Sequence, residues 1–222
     1  MLKEYDIIVV GAGHAGNEAA AAAARLGSSV LLITMNMETI GQMSCNPAIG
    51  GIAKGQIVRE IDALGGHTGT VTDKSTIQFK MLNKSKGPAM WSPRAQCDRK
   101  LFSNYWRETL ESIEKLDFWQ DVVNEVIIKG NRVKGVKTSM GVEIKCKSVI
   151  LNSGTFLNGT IHLGDKVFGG GRMGEKSIKG ITEQLEQIGF SSGRMKTGTP
   201  ARVDGRSIDF SKMEEQPGDA NP

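Results

Sequence analysis

A chain of 222 residues is long enough for one or two domains, on a prior of about 150 residues each, and for a sizeable buried core. Apolar residues make up 39% and charged residues 23%, so the low hydrophobicity and charge excess of a disordered chain are missing. The 28 bases exceed the 24 acids by only four, which permits a nucleic-acid partner but argues against a histone-like, purely electrostatic binder.

Glycine stands out at 28 residues against six prolines, well above the usual ~7% for glycine. Such an excess suggests tight turns and backbone held close to a ligand. The cysteines Cys45, Cys97 and Cys146 are odd in number and spaced unlike any zinc or redox pair, so neither a disulfide scaffold nor a metal site is expected. No apolar stretch approaches the roughly 18 residues that cross a bilayer, and the start lacks a signal-peptide layout. A reduced, cytoplasmic setting without membrane contact is the expectation.

In chain order, Tyr5 to Val10 reads as a strand buried on both faces of a parallel sheet. Gly11-Ala12-Gly13-His14-Ala15-Gly16 follows, then an alanine-rich helix to Leu26 that Gly27 ends, and a second strand from Val30 to Thr34. These residues make one βαβ unit. Asn36 to Gly51 reads as an ordered loop, and Ile52, Ile57, Val58, Ile61 and Leu64 as the apolar stripe of a helix closed by Gly65-Gly66. A basic loop follows, after which Ser92-Pro93 is expected to open a helix that turns Leu101, Phe102, Tyr105, Trp106, Leu110 and Ile113 inward. Strands at Val126–Lys129, Arg132–Thr138 and Val142–Cys146 form a β-meander inserted at about 118–147, and Val149-Ile150-Leu151 re-enters the sheet. Ser177 is expected to N-cap a helix running to Ile188, Arg194 to Phe210 to hold short strand-like pieces, and 211–222 to fray. The fold class is α/β: a Rossmann-like parallel sheet over 1–163 with an inserted meander, and the start of a second, substrate domain over 164–222.

The glycine run carries the clearest chemistry. Gly11 turns the chain, Gly13 lets backbone approach a pyrophosphate, and Gly16 permits close helix packing. His14 reads as a loop-shaping residue. An acid usually follows about 20 residues on to bind a ribose, but Thr34 and Asn36 stand there, with no acid until Glu38. Neutral Thr34 or Asn36 can still hydrogen-bond a ribose, and the missing acid leaves FAD beside NAD as the dinucleotide. The meander before a strand ending Asn152-Ser153-Gly154 resembles flavoproteins with two dinucleotide domains, which adds Gly154 as a cofactor contact. Cys45, placed just before an expected helix start, is either a nucleophile favoured as thiolate or inert packing. Lys80, Lys84, Lys86, Arg94 and Arg99 with Trp91 suit either nucleic-acid phosphates and a stacked base or a solvated rim with contacts to the cofactor's own phosphates.

GAGHAG (11–16), SCNPAIGG (44–51), KGQIVREIDALGG (54–66), SKGPA (85–89), RAQCDR (94–99), GTFLNG (154–159) and KTGTPAR (196–202) together closely resemble the MnmG, or GidA, family. That resemblance implies an FAD-dependent enzyme that works with the GTPase MnmE. The reaction forms the 5-carboxymethylaminomethyl or aminomethyl group on the wobble uridine of tRNA, drawing on methylenetetrahydrofolate, glycine or ammonium, and NADH. It implies FAD contacts at Gly11 to Gly16, Val123 and Ser177, a catalytic Cys45, and a homodimer. Family chains are nearly three times longer, so the chain reads as an N-terminal fragment, inactive in isolation, without most of the NADH site. The rival readings are an FAD oxidoreductase of a small molecule, a folate-dependent tRNA uracil methyltransferase, and a non-enzymatic dinucleotide-binding module.

Overall fold

The computed structural model describes residues 3–198 and 202–220, so Thr199, Pro200 and Ala201 of the KTGTPAR motif lie outside the described residues. The elements run β1 (Tyr5–Val10), α1 (His14–Arg25), β2 (Val30–Thr34), β3 (Ala48–Gly50), α2 (Lys54–Ala63), α3 (Thr68–Ser75), β4 (Thr76–Leu82), β5 (Ser92–Cys97) and α4 (Arg99–Glu111). They continue as β6 (Leu116–Gln120), β7 (Val123–Lys129), β8 (Arg132–Thr138), β9 (Glu143–Leu151), β10 (Thr160–Leu163), β11 (Lys166–Gly169) and α5 (Ile181–Gln187).

Contacts divide the chain into two interleaved units, Met1–Gln42 with Ser103–Gly193, and Met43–Phe102 with Arg194–Pro222. This corrects the expected break at 163/164, because residues 43–102 build a sheet of their own within the sequence of the first unit.

The first unit is a six-stranded sheet ordered β6-β2-β1-β9-β8-β7. Strands β6, β2, β1 and β9 are parallel, with Ile8 opposite both Leu31 and Val149. Strand β9 is shared: Cys146 to Leu151 pair with β1, while Glu143 to Lys145 pair antiparallel with β8. The expected strands 142–146 and 149–151 are therefore one. Leu116–Gln120, counted with the meander from sequence, is instead a parallel strand reached from β2 through a long crossover containing α4, with Leu32 opposite Phe118. Alternation explains the layers. Ile8, Val10, Leu31 and Ile33 point to one face and form a core with Val126, Val136 and Ile144 of the meander and Ile181 of α5. Helix α1 packs on β1 and β2 through its small alanines, of which Ala20 and Ala21 are fully buried. Gly27 ends α1 at φ +97° and Gly189 ends α5 at φ +99°, as their positions predicted. Helix α5 begins at Ile181, with Glu183 accepting from the N–H of Gly180 at 2.8 Å, so Ser177 is not its cap.

The second unit has the antiparallel sheet β3-β5-β4 with α2 and α3. Ser92-Pro93 lies on β5; the helix starts only after Asp98, whose carboxylate accepts from the N–H groups of Lys100 and Leu101 at 2.9 Å each. The expected α2 stripe is not a core face: Ile57 is exposed, Val58 and Ile61 are half-buried, and Ile52 and Leu64, which flank the helix, are 64% and 87% exposed. The buried residue of α2 is Gly55, where a methyl would lie 2.6 Å from the Pro93 carbonyl oxygen, so the small side packs and the large side does not. Helix α3 and strand β4 occupy what reads as a basic loop, and the hydroxyls of Thr72, Ser75 and Thr76 bond back to carbonyls four residues earlier. Among the described residues 202–210 no strand forms, and Gly205–Ser207 is a short 3-10 turn. Of residues 211–222, expected to fray, 221–222 lie outside the described residues; of the rest, Asp219 is tied to β4, donating its N–H to Phe79 O at 2.8 Å and accepting from Met81 N–H at 2.8 Å and Lys84 Nζ at 3.2 Å.

Candidate functional site

In the first unit the chain leaves β1 through Gly11, at φ +103°, where a methyl would lie 2.2 Å from the Asn152 carbonyl oxygen. At Gly16 a methyl would lie 1.9 Å from the Gly11 carbonyl oxygen and 2.7 Å from Asn152 Nδ2. Both glycines are therefore required by the chain's own packing. Gly13 is different: its backbone is extended at φ −75°, and the nearest atom to an added methyl is Asn152 Nδ2 at 3.7 Å. Nothing in the fold demands glycine there, which leaves the space outside the loop as its reason. Helix α1 starts without a side-chain cap and without an acid in its first turn, so its first N–H groups are suited to an anion.

The residues around this loop fall into place by topology. Ala12 is buried and its carbonyl accepts from Gly41 N–H at 2.9 Å, while Ala15 is exposed. His14 Nε2 lies 3.2 Å from the Gly41 carbonyl oxygen, and burial pushes its pKa below the ordinary imidazole value, which keeps the ring neutral and shaping the loop. Thr34 is buried, its hydroxyl donating to the Asn36 carbonyl at 3.4 Å, and the Asn36 side-chain oxygen accepts from Glu38 N–H at 2.9 Å. Glu38, the first acid after β2, is ion-paired with Arg107 at 2.8 Å. Asp121 donates its N–H to Thr34 O at 3.0 Å, which carries Val123, buried in the core, to the same end of β2. Gly154 follows β9 at φ +56°, and Ser177 precedes Ile178, whose N–H donates to Phe156 at 2.8 Å on the segment leaving Gly154. Asn152 is the residue the sequence reading undervalued: its carbonyl and carboxamide occupy the space that side chains at positions 11 and 16 would need.

In the second unit Cys45 is exposed, on a loop before β3 rather than at the expected helix start, which lies at Lys54 beyond that strand. Its carbonyl oxygen instead accepts from Arg99 Nη2 at 3.1 Å and from Arg202 Nη2. Cys97 and Cys146 are buried; burial pushes the Cys97 thiol up and the Cys146 thiol up to about 11. Three other bases of the cluster hold residues 216–219: Lys80 donates to Pro217 O at 2.6 Å, Lys84 pairs with Asp219 and Arg94 donates to Gln216 Oε1 at 3.3 Å. Trp91 donates its indole N–H to Lys84 O at 3.2 Å. Among the described residues no group of three or more His, Cys, Asp or Glu side chains could hold a metal, and no helix is long and apolar enough to cross a membrane.

Residues 6–222 match the family model described as Glucose inhibited division protein A. The protein of Cytophaga hutchinsonii named tRNA uridine 5-carboxymethylaminomethyl modification enzyme MnmG is 68% identical over 222 residues, covering 100% of this chain and 36% of its own length. The Flavobacterium johnsoniae protein of the same name is 66% identical over 221 residues, again covering 36% of its length. Among solved structures, Aquifex aeolicus GidA is 54% identical with a TM-score of 0.92 over 97% of this chain and 36% of that one. The GidA-related protein from Thermus thermophilus shares the fold, with a TM-score of 0.61 at 24% identity over 84% of this chain and 69% of that one. The chain thus spans about a third of the length of the curated relatives it matches. With the glycine loop, the parallel sheet and the exposed-cysteine loop all inside the matched residues, this chain belongs to the Glucose inhibited division protein A, or GidA/MnmG, family.

Proposed function

We propose that this chain supplies the dinucleotide-binding part and a nucleophilic thiol of an FAD-dependent enzyme that modifies the wobble uridine of tRNA at carbon 5. The observation that carries the reading is the identity with the Cytophaga hutchinsonii MnmG, which runs through the whole chain.

FAD fits the first unit: Gly13 leaves open the space a pyrophosphate needs, and the uncapped start of α1 offers it N–H groups. Gly11, Ala12, Gly13, His14, Ala15 and Gly16 would line that cradle, with Thr34 and Asn36 toward a ribose and Val123, Gly154 and Ser177 as further contacts. When bound, FAD supplies two-electron redox chemistry. In the second unit, exposure leaves Cys45 as the accessible thiol of the three. Carbon 5 of uracil is a poor nucleophile until carbon 6 is attacked. Cys45 as thiolate forms the S–C6 bond, and the C5=C6 electron pair moves toward the C4 oxygen, which makes carbon 5 nucleophilic. After substitution at carbon 5, loss of its proton and cleavage of S–C6 restore the ring and return the thiolate. The uridine must leave the anticodon stack for this attack. Methylenetetrahydrofolate as carbon donor, glycine or ammonium as nitrogen donor, NADH as reductant, MnmE as partner, a homodimer and a cytoplasmic setting complete the proposal, supported by the family resemblance.

The test is mass spectrometry of nucleosides from tRNA of cells lacking the gene for this chain. The 5-carboxymethylaminomethyl and aminomethyl uridines disappear and return with the gene; unchanged levels in the deleted cells would contradict the reading.

A further inference from the structure

Two guanidinium groups meet on one neutral oxygen at Cys45: Arg99 and Arg202 both donate to its carbonyl. Like charges drawn together this way repel, and among the described residues neither arginine is ion-paired with a carboxylate. A guanidinium carries about five N–H donors, and the shared carbonyl takes one from each arginine. Both side chains are exposed, so the remaining donors face solvent. Three bases of this unit are held otherwise, Lys80, Lys84 and Arg94, by Pro217, Asp219 and Gln216. The fold thus satisfies one group of bases internally and leaves this pair without a counter-anion beside the exposed thiol.

We infer that Arg99 and Arg202 form a phosphate grip that seats an RNA strand at Cys45. The inference rests on the reading that the chain acts on tRNA. A planar guanidinium matches a phosphodiester with two parallel N–H bonds, and the shared carbonyl fixes both forks before the strand arrives. Arg99 and Arg202 are positioning residues here: they hold the backbone that carries the nucleophile and the strand that carries its target.

The test uses the purified chain and an anticodon stem-loop RNA, with fluorescence anisotropy over a salt series. Arg99→Gln and Arg202→Gln each weaken binding roughly tenfold at low salt, the scale of losing a charge-assisted hydrogen bond. The double variant flattens the plot of log affinity against log salt by about 0.7, the signature of one single-stranded phosphate contact. Arg99→Lys and Arg202→Lys keep the charge and restore the slope, which a purely structural role would not do. On the unaltered chain, the RNA protects the Arg99 and Arg202 peptides from phenylglyoxal, a readout that does not depend on how the variants fold. Equal phenylglyoxal modification with and without RNA, or an unchanged slope and affinity in the double variant, would overturn the grip while leaving the tRNA reading standing. Absence of RNA binding by the unaltered chain would overturn it too, and the nucleoside analysis decides the tRNA reading separately.

Discussion

Gly13→Ala separates the needs of the fold from those of the ligand. Its backbone, at φ −75° and ψ −178°, is ordinary for alanine, and the new methyl meets nothing nearer than Asn152 Nδ2 at 3.7 Å. Alanine also restricts the unfolded chain, a gain of about 0.4–1 kcal/mol where the native backbone accepts it. Gly13 is also the N-cap of α1, where alanine is the poorer residue by a similar amount, so the two effects offset and the Tm moves by only about 2 °C. In the proposed FAD site the same methyl would stand where the loop approaches the pyrophosphate, and each charge-assisted hydrogen bond lost is worth about 1.5–3 kcal/mol, or roughly ten- to hundredfold in affinity. Gly16→Ala is the opposite case. Its methyl would fall 1.9 Å from the Gly11 carbonyl oxygen, so backbone must move, at a cost of about 1–3 kcal/mol or more and a Tm lowered by roughly 2–10 °C. Thermal melting with FAD titration measures both variants. A Gly13→Ala chain that binds FAD as the unaltered chain does, or melts as low as Gly16→Ala, would refute the reasoning.

In the native chain iodoacetamide labels Cys45 first, while Cys97 and Cys146 react only on unfolding; peptide mass spectrometry that finds all three labelled at one rate contradicts the burial argument. The Cys146 thiol is raised from 9.0 to about 11, so its contribution to stability is complete below pH 9 and is lost as the pH rises through 11. Denaturant melts across that window fall by about 1–2 kcal/mol, and Cys146→Val removes this part of the decline. Asp98→Ala costs about 1 kcal/mol by removing the carboxylate that accepts from Lys100 and Leu101, whereas Ser92→Ala leaves helix α4 intact by circular dichroism. Asp219→Ala lowers the melting temperature because Met81 N–H and Lys84 lose their acceptor on the edge of β4; an unchanged melt would mean that the last residues do not hold that edge.

What the sequence made legible was the part governed by local rules. Tyr5 to Thr34 could be read almost residue by residue, because a β-rich run, a glycine loop and an alanine helix each have their own pattern and all three agree. The errors cluster where tertiary packing overrides the pattern. Ser92-Pro93 has the chemistry of a helix start, yet β4 and β3 flank that segment and draw it into a sheet. Ile52, Ile57 and Leu64 have a core-like period but face outward, because Gly55 lets the other side of α2 sit on Pro93. Helix α3 was invisible because Thr72 and Ser75 are buried hydroxyls satisfied by back-bonding to the Thr68 and Val71 carbonyls, which no apolar period reveals. At the site, the glycines were legible but their partner Asn152 was not. The convergence of Arg99 and Arg202 on Cys45, 54 and 157 residues apart from it in sequence, had no local signal at all.

The most direct measurement on the central claim replaces the gene with one encoding Cys45→Ser and quantifies wobble nucleosides by mass spectrometry beside the flavin content of the purified protein. The account predicts flavin retained at the unaltered level and the 5-carboxymethylaminomethyl and aminomethyl uridines gone. Modified uridines at their original level in those cells would contradict it.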